Sequence, residues 1–278
     1  MTLFNRLLGA LVGAILYPFQ GMHPLVGLSV VSLLAAVLLL WVVKKTSDQK
    51  SIEQVKRRVQ ACIYEIRLYN DDLRTMLRAQ AELMRHNLRY LGLSMVPMFW
   101  SLPVLLPIMV QLQFQYGYRG LEPAKPTLLS VELKDGWALT VPATPGGSKP
   151  QVTLELPDGI EAETPAVWIP SANRLEWRLK AVKAGDYRLT VRSGAESQLK
   201  SVRVAGGLGK LSPLRLEPGF VNALLYPAEA PLPAASPLRS IGLAYPEREI
   251  GGWHWMWIFC GLSLVFAFAL KGKMGVTL

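Results

Sequence analysis

The chain has 278 residues, of which 51% are hydrophobic, with a mean hydropathy of +0.25 and a formal net charge of +10. An ordinary soluble domain is more polar than this, and that class is excluded. The apolar excess is concentrated in three long runs, and the positive charge is placed just as unevenly.

Residues 1–23 come first. Leu3 to Tyr17 is apolar apart from Arg6. At about 1.5 Å per residue, fifteen helical residues reach roughly 22 Å, short of a full crossing. No small-residue cleavage pattern follows; Tyr17-Pro18-Phe19-Gln20-Gly21 comes instead. The segment reads as an interfacial or re-entrant helix. A short fourth span entering from the cytoplasm is the alternative, and Arg6 speaks for it.

Residues 24–43 form the first expected span. Leu25 to Val43 carries no charge over nineteen residues, close to the twenty or so that cross the hydrocarbon layer as a helix. Ser29 and Ser32, three apart, share one helix face.

Residues 44–90 are basic and helical in pattern. From residue 44 to residue 89, eleven Lys or Arg stand against six Asp or Glu. Ile52, Val55, Val59, Cys62, Ile66 and Tyr69 follow a 3-4-3-4-3 spacing, the seam geometry of a coiled coil. Asn70-Asp71-Asp72 interrupts it with residue types that favour turns and helix N-caps. Leu73, Met76, Leu77, Leu83, Met84, Leu88 and Leu91 then make the expected stripe of a second, antiparallel helix. Lys56, Arg57, Arg58, Arg67, Arg74, Arg78 and Arg85 are expected to point outward. Such a face either fixes membrane topology alone or also contacts RNA (a ribosome), clients or anionic lipid.

Residues 91–118 form the second span, with Leu91 to Phe114 uncharged over twenty-four residues. Pro97, Pro103 and Pro107 each remove a backbone donor, which a span tolerates only where neighbours or water satisfy the freed carbonyl. Ser94 and Ser101 are one heptad apart, and Gln111 follows near the far end. Ser29, Ser32, Ser94, Ser101 and Gln111 either line a mildly polar cavity or serve as polar glue between helices.

Residues 126–205 change period. Alternation runs through Leu129–Leu133, Val152–Leu156, Leu175–Leu179, Tyr187–Val191 and Val202–Val204, separated by turn residues such as Asp135-Gly136 and Ser193-Gly194. Short alternating strands at this spacing argue an antiparallel β-sandwich, with Trp137, Trp168 and Trp177 in its core. Ala184-Gly185-Asp186-Tyr187 resembles the corner of immunoglobulin-like sandwiches. Residues 206–251 carry Pro213, Pro218, Pro227, Pro231, Pro233, Pro237 and Pro246, and read as an extended tether. Residues 252–270 form the third span, opened by Trp253, Trp255 and Trp257 as an aromatic belt. Residues 271–278 form a tail.

Lys44 and Lys45 follow the first span, Arg85 and Arg89 precede the second, and Lys271 and Lys273 follow the third. The positive-inside rule then puts hairpin and tail in the cytoplasm and the β domain outside; the membrane is expected to be a prokaryotic inner membrane. Cys62 and Cys260 fall in different compartments by that topology, so no disulfide is expected between them. His23, His86 and His254 have no metal-ligand spacing. No nucleophile–base pattern, phosphate loop or carboxylate cluster marks an enzyme, and no cofactor or metal is expected. The fold class is an α-helical membrane protein with three transmembrane helices and a cytoplasmic coiled-coil hairpin, plus an extracytoplasmic antiparallel β-sandwich.

This order of elements resembles the YidC/Oxa/Alb superfamily of membrane protein insertases, in particular its minimal three-span members. The resemblance is carried by Glu65-Ile66-Arg67-Leu68-Tyr69-Asn70-Asp71-Asp72, by Arg85-His86-Asn87-Leu88-Arg89-Tyr90-Leu91, and by Met98-Phe99-Trp100-Ser101-Leu102-Pro103-Val104-Leu105-Leu106-Pro107. It implies insertion of short-tailed client proteins through a hydrated groove, without nucleotide hydrolysis, with nascent chains, lipid and the ribosome as partners. Two features depart from the family: the first span has no arginine, and a large β domain separates the second and third spans. The competing expectation is an anchored scaffold or adhesion protein whose β domain binds an extracytoplasmic partner.

Overall fold

A computed structural model describes residues 2–19, 21–68, 72–135, 152–194 and 196–276, with residues 2–6 by backbone alone. Trp137 and the Gly146-Gly147 turn lie outside the described residues. Among the described residues there are six α-helices and a set of antiparallel β-sheets. Three helices are long and apolar enough to cross a membrane: Pro24–Thr46 (α2), Leu73–Tyr116 (α4) and Trp255–Met274 (α6). The others are Thr2–Leu16 (α1), Gln49–Leu68 (α3) and Phe220–Leu225 (α5). The chain divides into two compact units, Met1–Gly27 with Met109–Trp257, and Leu28–Ile108 with Ile258–Leu278.

In the first unit the strands are Pro126–Leu133 (β1), Val152–Glu155 (β2), Ile160–Ala162 (β3), Val167–Ile169 (β4), Arg174–Ala181 (β5), Gly185–Ser193 (β6), Glu196–Val204 (β7), Leu214–Leu216 (β8), Leu238–Leu243 (β9), Glu249–Ile250 (β10) and Trp253–His254 (β11). One sheet runs β3-β5-β1-β9-β8, with β4 also on β5, and a second runs β2-β6-β7. Every ladder pairing is antiparallel. The alternation read in the sequence is the burial pattern of β1, β5, β6 and β7. Their inward residues, among them Leu129, Val131, Leu175, Leu189, Val191 and Val202, join one hydrophobic core. Trp177 is buried in it and Trp168 packs against its margin.

The Tyr187 hydroxyl donates to the Lys183 carbonyl at 3.1 Å, the back-reaching bond of a tyrosine corner. Gly159, at φ +111°, lies under that ring, where a Cβ would meet the Tyr187 hydroxyl at 2.6 Å.

Residues 206–251 are not a tether beside this domain but part of it. β9 lies between β1 and β8, with Leu129 opposite Leu243 and Val131 opposite Ile241. A buried polar clamp holds the rest. Lys200, an inward position of β7 with no exposed surface, donates to the Ser212 carbonyl at 2.7 Å and to Glu229 Oε2 at 2.5 Å. Glu229 Oε1 accepts from the Ser201 backbone at 2.8 Å. Burial alone would raise the Glu229 carboxyl. The Lys200 charge and the bonds from Lys200 and Ser201 outweigh it and hold that carboxyl below its usual range.

The chain also enters and leaves the β region as a pair. Arg119 N–H donates to the Pro246 carbonyl and Arg248 N–H to the Gly117 carbonyl, each at 3.0 Å, about a Tyr118–Glu247 antiparallel bridge. Gly120 has no room for a Cβ, which would overlap the Ala205 carbonyl oxygen.

Residues 117–250 expressed alone are expected to unfold cooperatively on heating. Residues 126–205, which lack β9, are expected to show no cooperative transition by circular dichroism. Glu229→Gln strands Lys200 in the core, and breaking one side of a buried pair costs about 3–5 kcal/mol. Because the folded carboxyl is depressed, the pair's contribution is present at neutral pH and is lost as pH falls through the Glu229 titration. The thermal midpoint of 117–250 should therefore drop on acidification, and much less so in the Gln variant.

Candidate functional site

The helical unit carries the polar features read in the spans. Asp48 starts α3 as its N-cap: Ser51 N–H donates to Asp48 Oδ1 at 3.1 Å and Ser51 Oγ to Oδ2 at 2.6 Å. Asp72 does the same for α4, accepting from Arg74 N–H at 3.0 Å and from Thr75 Oγ1 at 2.5 Å. Both carboxyls are held below their usual range, chiefly by the Ser51 and Thr75 hydroxyls respectively. α4 then runs through the three prolines as one helix of 44 residues.

Over its described residues the α3 half of the hairpin seam is as expected, with Ile52, Val55 and Cys62 buried and Val59 and Ile66 half-buried; Tyr69 and the Asn70-Asp71 turn lie outside the described residues. Of the stripe expected on α4, Met76 and Leu83 are half-buried as expected, but the rest is out of phase. Leu73, Leu77, Met84, Leu88 and Leu91 are exposed, Leu88 at 62%. The covered line is Met76, Ala79, Leu83, His86, Tyr90, Leu93 and Pro97, again spaced 3-4-3-4. Ala79 is its most buried hairpin member at 3%. Its small side chain lets the two helices approach, whereas counting apolar residues alone favours the Leu/Met line. The basic residues Arg57, Arg58, Arg67, Arg74, Arg78 and Arg85 are exposed as expected. Arg57 pairs with Glu53 at 2.7 Å and Arg78 with Glu82 at 3.4 Å. Lys56 departs from that face: it is half-buried, with Nζ 5.6 Å above the Tyr90 ring.

At the root of the hairpin lies a cavity of about 290 Å³. The end of α2 supplies Val43 and the residue after it Ser47; α3 supplies Ile52; α4 supplies Tyr90, Ser94, Pro97, Met98 and Ser101. Ser101 Oγ donates to the Pro97 carbonyl at 2.7 Å. Ser47 Oγ is buried with no protein partner. The wall is thus half apolar and half hydroxyl, with no acidic or basic side chain lining it.

Of the five serine and glutamine positions read from the spans, two meet here, Ser94 and Ser101. Ser29 and Ser32 sit elsewhere on α2: at about 1.5 Å per residue, Ser29 is roughly 21 Å along the axis from Val43. Ser32 is fully buried with its Oγ unpartnered, and Ser29 is half-buried. Gln111 belongs to the β-containing unit, buried, with Oε1 beside Gly9 of α1. Ser47 and Tyr90 were not among the residues singled out. The signal for Tyr90 was there: Tyr90, Ser94, Pro97 and Ser101 follow i, i+4, i+7, i+11, one continuous helix stripe.

Among the described residues, Cys62 Sγ and a carboxylate oxygen each of Glu65 and Glu82 lie within 4.8 Å of one another. Burial, then the Glu65 and Glu82 charges, push the Cys62 thiol up. Cys62 and Cys260 are both free thiols.

Comparison with family models, with curated proteins and with solved structures finds no match for this chain.

The corrected seam phase separates two variants. Ala79→Leu overpacks the hairpin and should cost about 1–3 kcal/mol. Leu88→Gln sits on the open face and should stay within roughly 0.5 kcal/mol of the parent. Thermal unfolding of the detergent-solubilised protein reads both, and equal effects would refute the assigned phase.

Proposed function

We infer that the chain is a membrane protein insertase or membrane chaperone of the YidC/Oxa/Alb type, acting without nucleotide hydrolysis. The observation that carries this reading is the hydroxyl-lined cavity where the basic hairpin meets α2 and α4. A polar client segment moving through hydrocarbon loses several kcal/mol of hydration for each unsatisfied group, on the order of 2–7. A cavity with serine and tyrosine hydroxyls, large enough for several waters, lowers that cost locally. Uncharged walls suit the role, since a fixed charge would hold an ionic client segment rather than pass it.

In the proposed orientation the hairpin and the C-terminal tail are cytoplasmic, in a prokaryotic inner membrane, because Lys44, Lys45, Arg85, Arg89, Lys271 and Lys273 flank the three candidate spans on that side. The exposed arginines of α3 and α4 are then available to anionic lipid, a ribosome or a nascent chain. The open Leu73–Leu77–Met84–Leu88 line beside them supplies apolar contact for an entering client. The β domain is extracytoplasmic, its two sheets packed as an immunoglobulin-like sandwich. Ser29, Ser32 and Gln111 act in this reading as packing groups within the membrane rather than as walls of the path.

Photo-crosslinking tests the reading directly. A photoreactive residue at Ser94 or Ser101 should trap a stalled single-span client with a short polar tail, and a probe at Leu264 on α6 should trap lipid only. Purified protein in liposomes should raise insertion of that client, and Ser94→Leu with Ser101→Leu should lower it several-fold. Lipid-only adducts at both serines, together with unchanged insertion, would overturn the proposal. A single stoichiometric partner pulled down by the β domain from cells with normal insertion would favour the scaffold alternative.

A further inference from the structure

We propose that α5 is a membrane-dipping element: its Phe220–Val221–Leu225 face is buried in the lipid headgroup–acyl boundary, alongside α1. The inference rests on the membrane-spanning assignment of the long helices and not on insertase activity.

The segment is unusual for a loop of a β domain. Between Glu217 and Glu229 the chain has no charge for eleven residues, Pro218 to Ala228. Phe220 is 67% exposed, Val221 60% and Leu225 46%. At 100° per residue these three fall within about 140° of arc, so they form one outward face. A six-residue helix does not hold itself together in water. This one is fixed by its surroundings. Asn222 Nδ2 donates to the Glu217 carbonyl at 3.2 Å, and Lys210 Nζ donates to the Pro227 carbonyl at 3.0 Å. The structure therefore holds three large apolar side chains outward on a rigid base.

Depth and company identify the partner as lipid. Tyr226, which closes α5, packs its ring 6.3 Å from that of Phe114. Phe114 is where the uncharged run of α4 ends. α5 is thus tied to the level at which the second candidate span leaves hydrocarbon. It also touches α1. The outward residues of α1, Leu7 and Leu11, are exposed and apolar as well, while its Val12 and Leu16 are buried. A helix apolar on both sides is one that lipid covers on the side protein does not. Trp253 and Trp257, exposed in the same unit, are the aromatic type that settles at the headgroup level. A protein-docking face carries a polar or charged rim; the 218–228 stretch has no charged side chain, and its Asn222 is turned back to the Glu217 carbonyl.

The test uses the full chain in vesicles of neutral phospholipid, with Cys62→Ser and Cys260→Ser as background. An environment-sensitive fluorophore is attached at Phe220→Cys, and in a second protein at Val221→Cys. Leu199→Cys on β7 serves as the aqueous reference and Leu264→Cys on α6 as the lipid reference. Nitroxide-labelled phospholipid and aqueous iodide are the two quenchers. The proposal expects the probes at 220 and 221 to be quenched by lipid nitroxide several-fold more than the probe at 199, most strongly by a label about 5–10 Å below the headgroup, and to be protected from iodide. Iodide quenching equal to that at 199 would overturn it. Protection from both quenchers would assign the face to protein and overturn it too. Failure of lipid quenching at 264 would instead overturn the membrane-spanning assignment.

Discussion

The β-containing unit depends on one pairing: the arm that leaves α4 runs antiparallel to the arm that returns to α6. It begins at Gly117–Arg119 against Pro246–Arg248 and continues through β1 against β9. Arg248 reinforces the start, its Nε donating to the Tyr118 carbonyl and its Nη2 to that of Gly207, each at 3.1 Å. A domain inserted between two spans must return its chain to where it left. Here the return is made by the ladder itself. Leu121 extends the coupling to the second sheet, donating to the Arg203 carbonyl while its own carbonyl accepts from Ala205 N–H. A slip of one residue in this register would turn Leu129, Val131 and Leu133 out of the core.

The same pairing explains what could and could not be read beforehand. β1, β5, β6 and β7 each have one wet face, so polar and apolar residues alternate and the period is visible. β9 is central. Five of its six residues are buried, in the pattern buried–exposed–buried–buried–buried–buried. A strand covered on both faces loses its alternation. Gly242 and the flanking Pro237 then make Leu238–Leu243 resemble a break rather than the middle of a sheet. The clamp at Lys200 was equally silent, because a lysine in an alternating strand reads as an outward residue until its partner, Glu229, is known to be near.

The hairpin teaches a related lesson. Both helices carry apolar lines with heptad spacing, and α4 carries two. Counting large apolar side chains gathers Leu73, Met76, Leu77, Leu83, Met84, Leu88 and Leu91 into one stripe, whereas packing keeps only Met76 and Leu83 of these and adds Ala79, His86 and Tyr90. Helix approach is limited by the bulk at the seam, and a small residue in mid-seam outweighs several leucines placed elsewhere. The consequence is an open apolar line flanked by arginines.

The cavity and the prolines of α4 belong to one argument. In a helix the N–H of residue 97 would serve the carbonyl of residue 93, and Pro97 has none to give. Ser101 Oγ is turned to the Pro97 carbonyl, not to that of Leu93. The interruption of the backbone ladder therefore falls where Pro97 itself, Ser94 and Ser47 border an open space. Away from water, an unpartnered Ser47 hydroxyl is unfavourable; beside a cavity large enough to admit water it is not. The proline break of α4 and the hydroxyls of Ser47, Ser94 and Ser101 thus border one cavity, a setting in which a freed backbone carbonyl is better tolerated than against lipid.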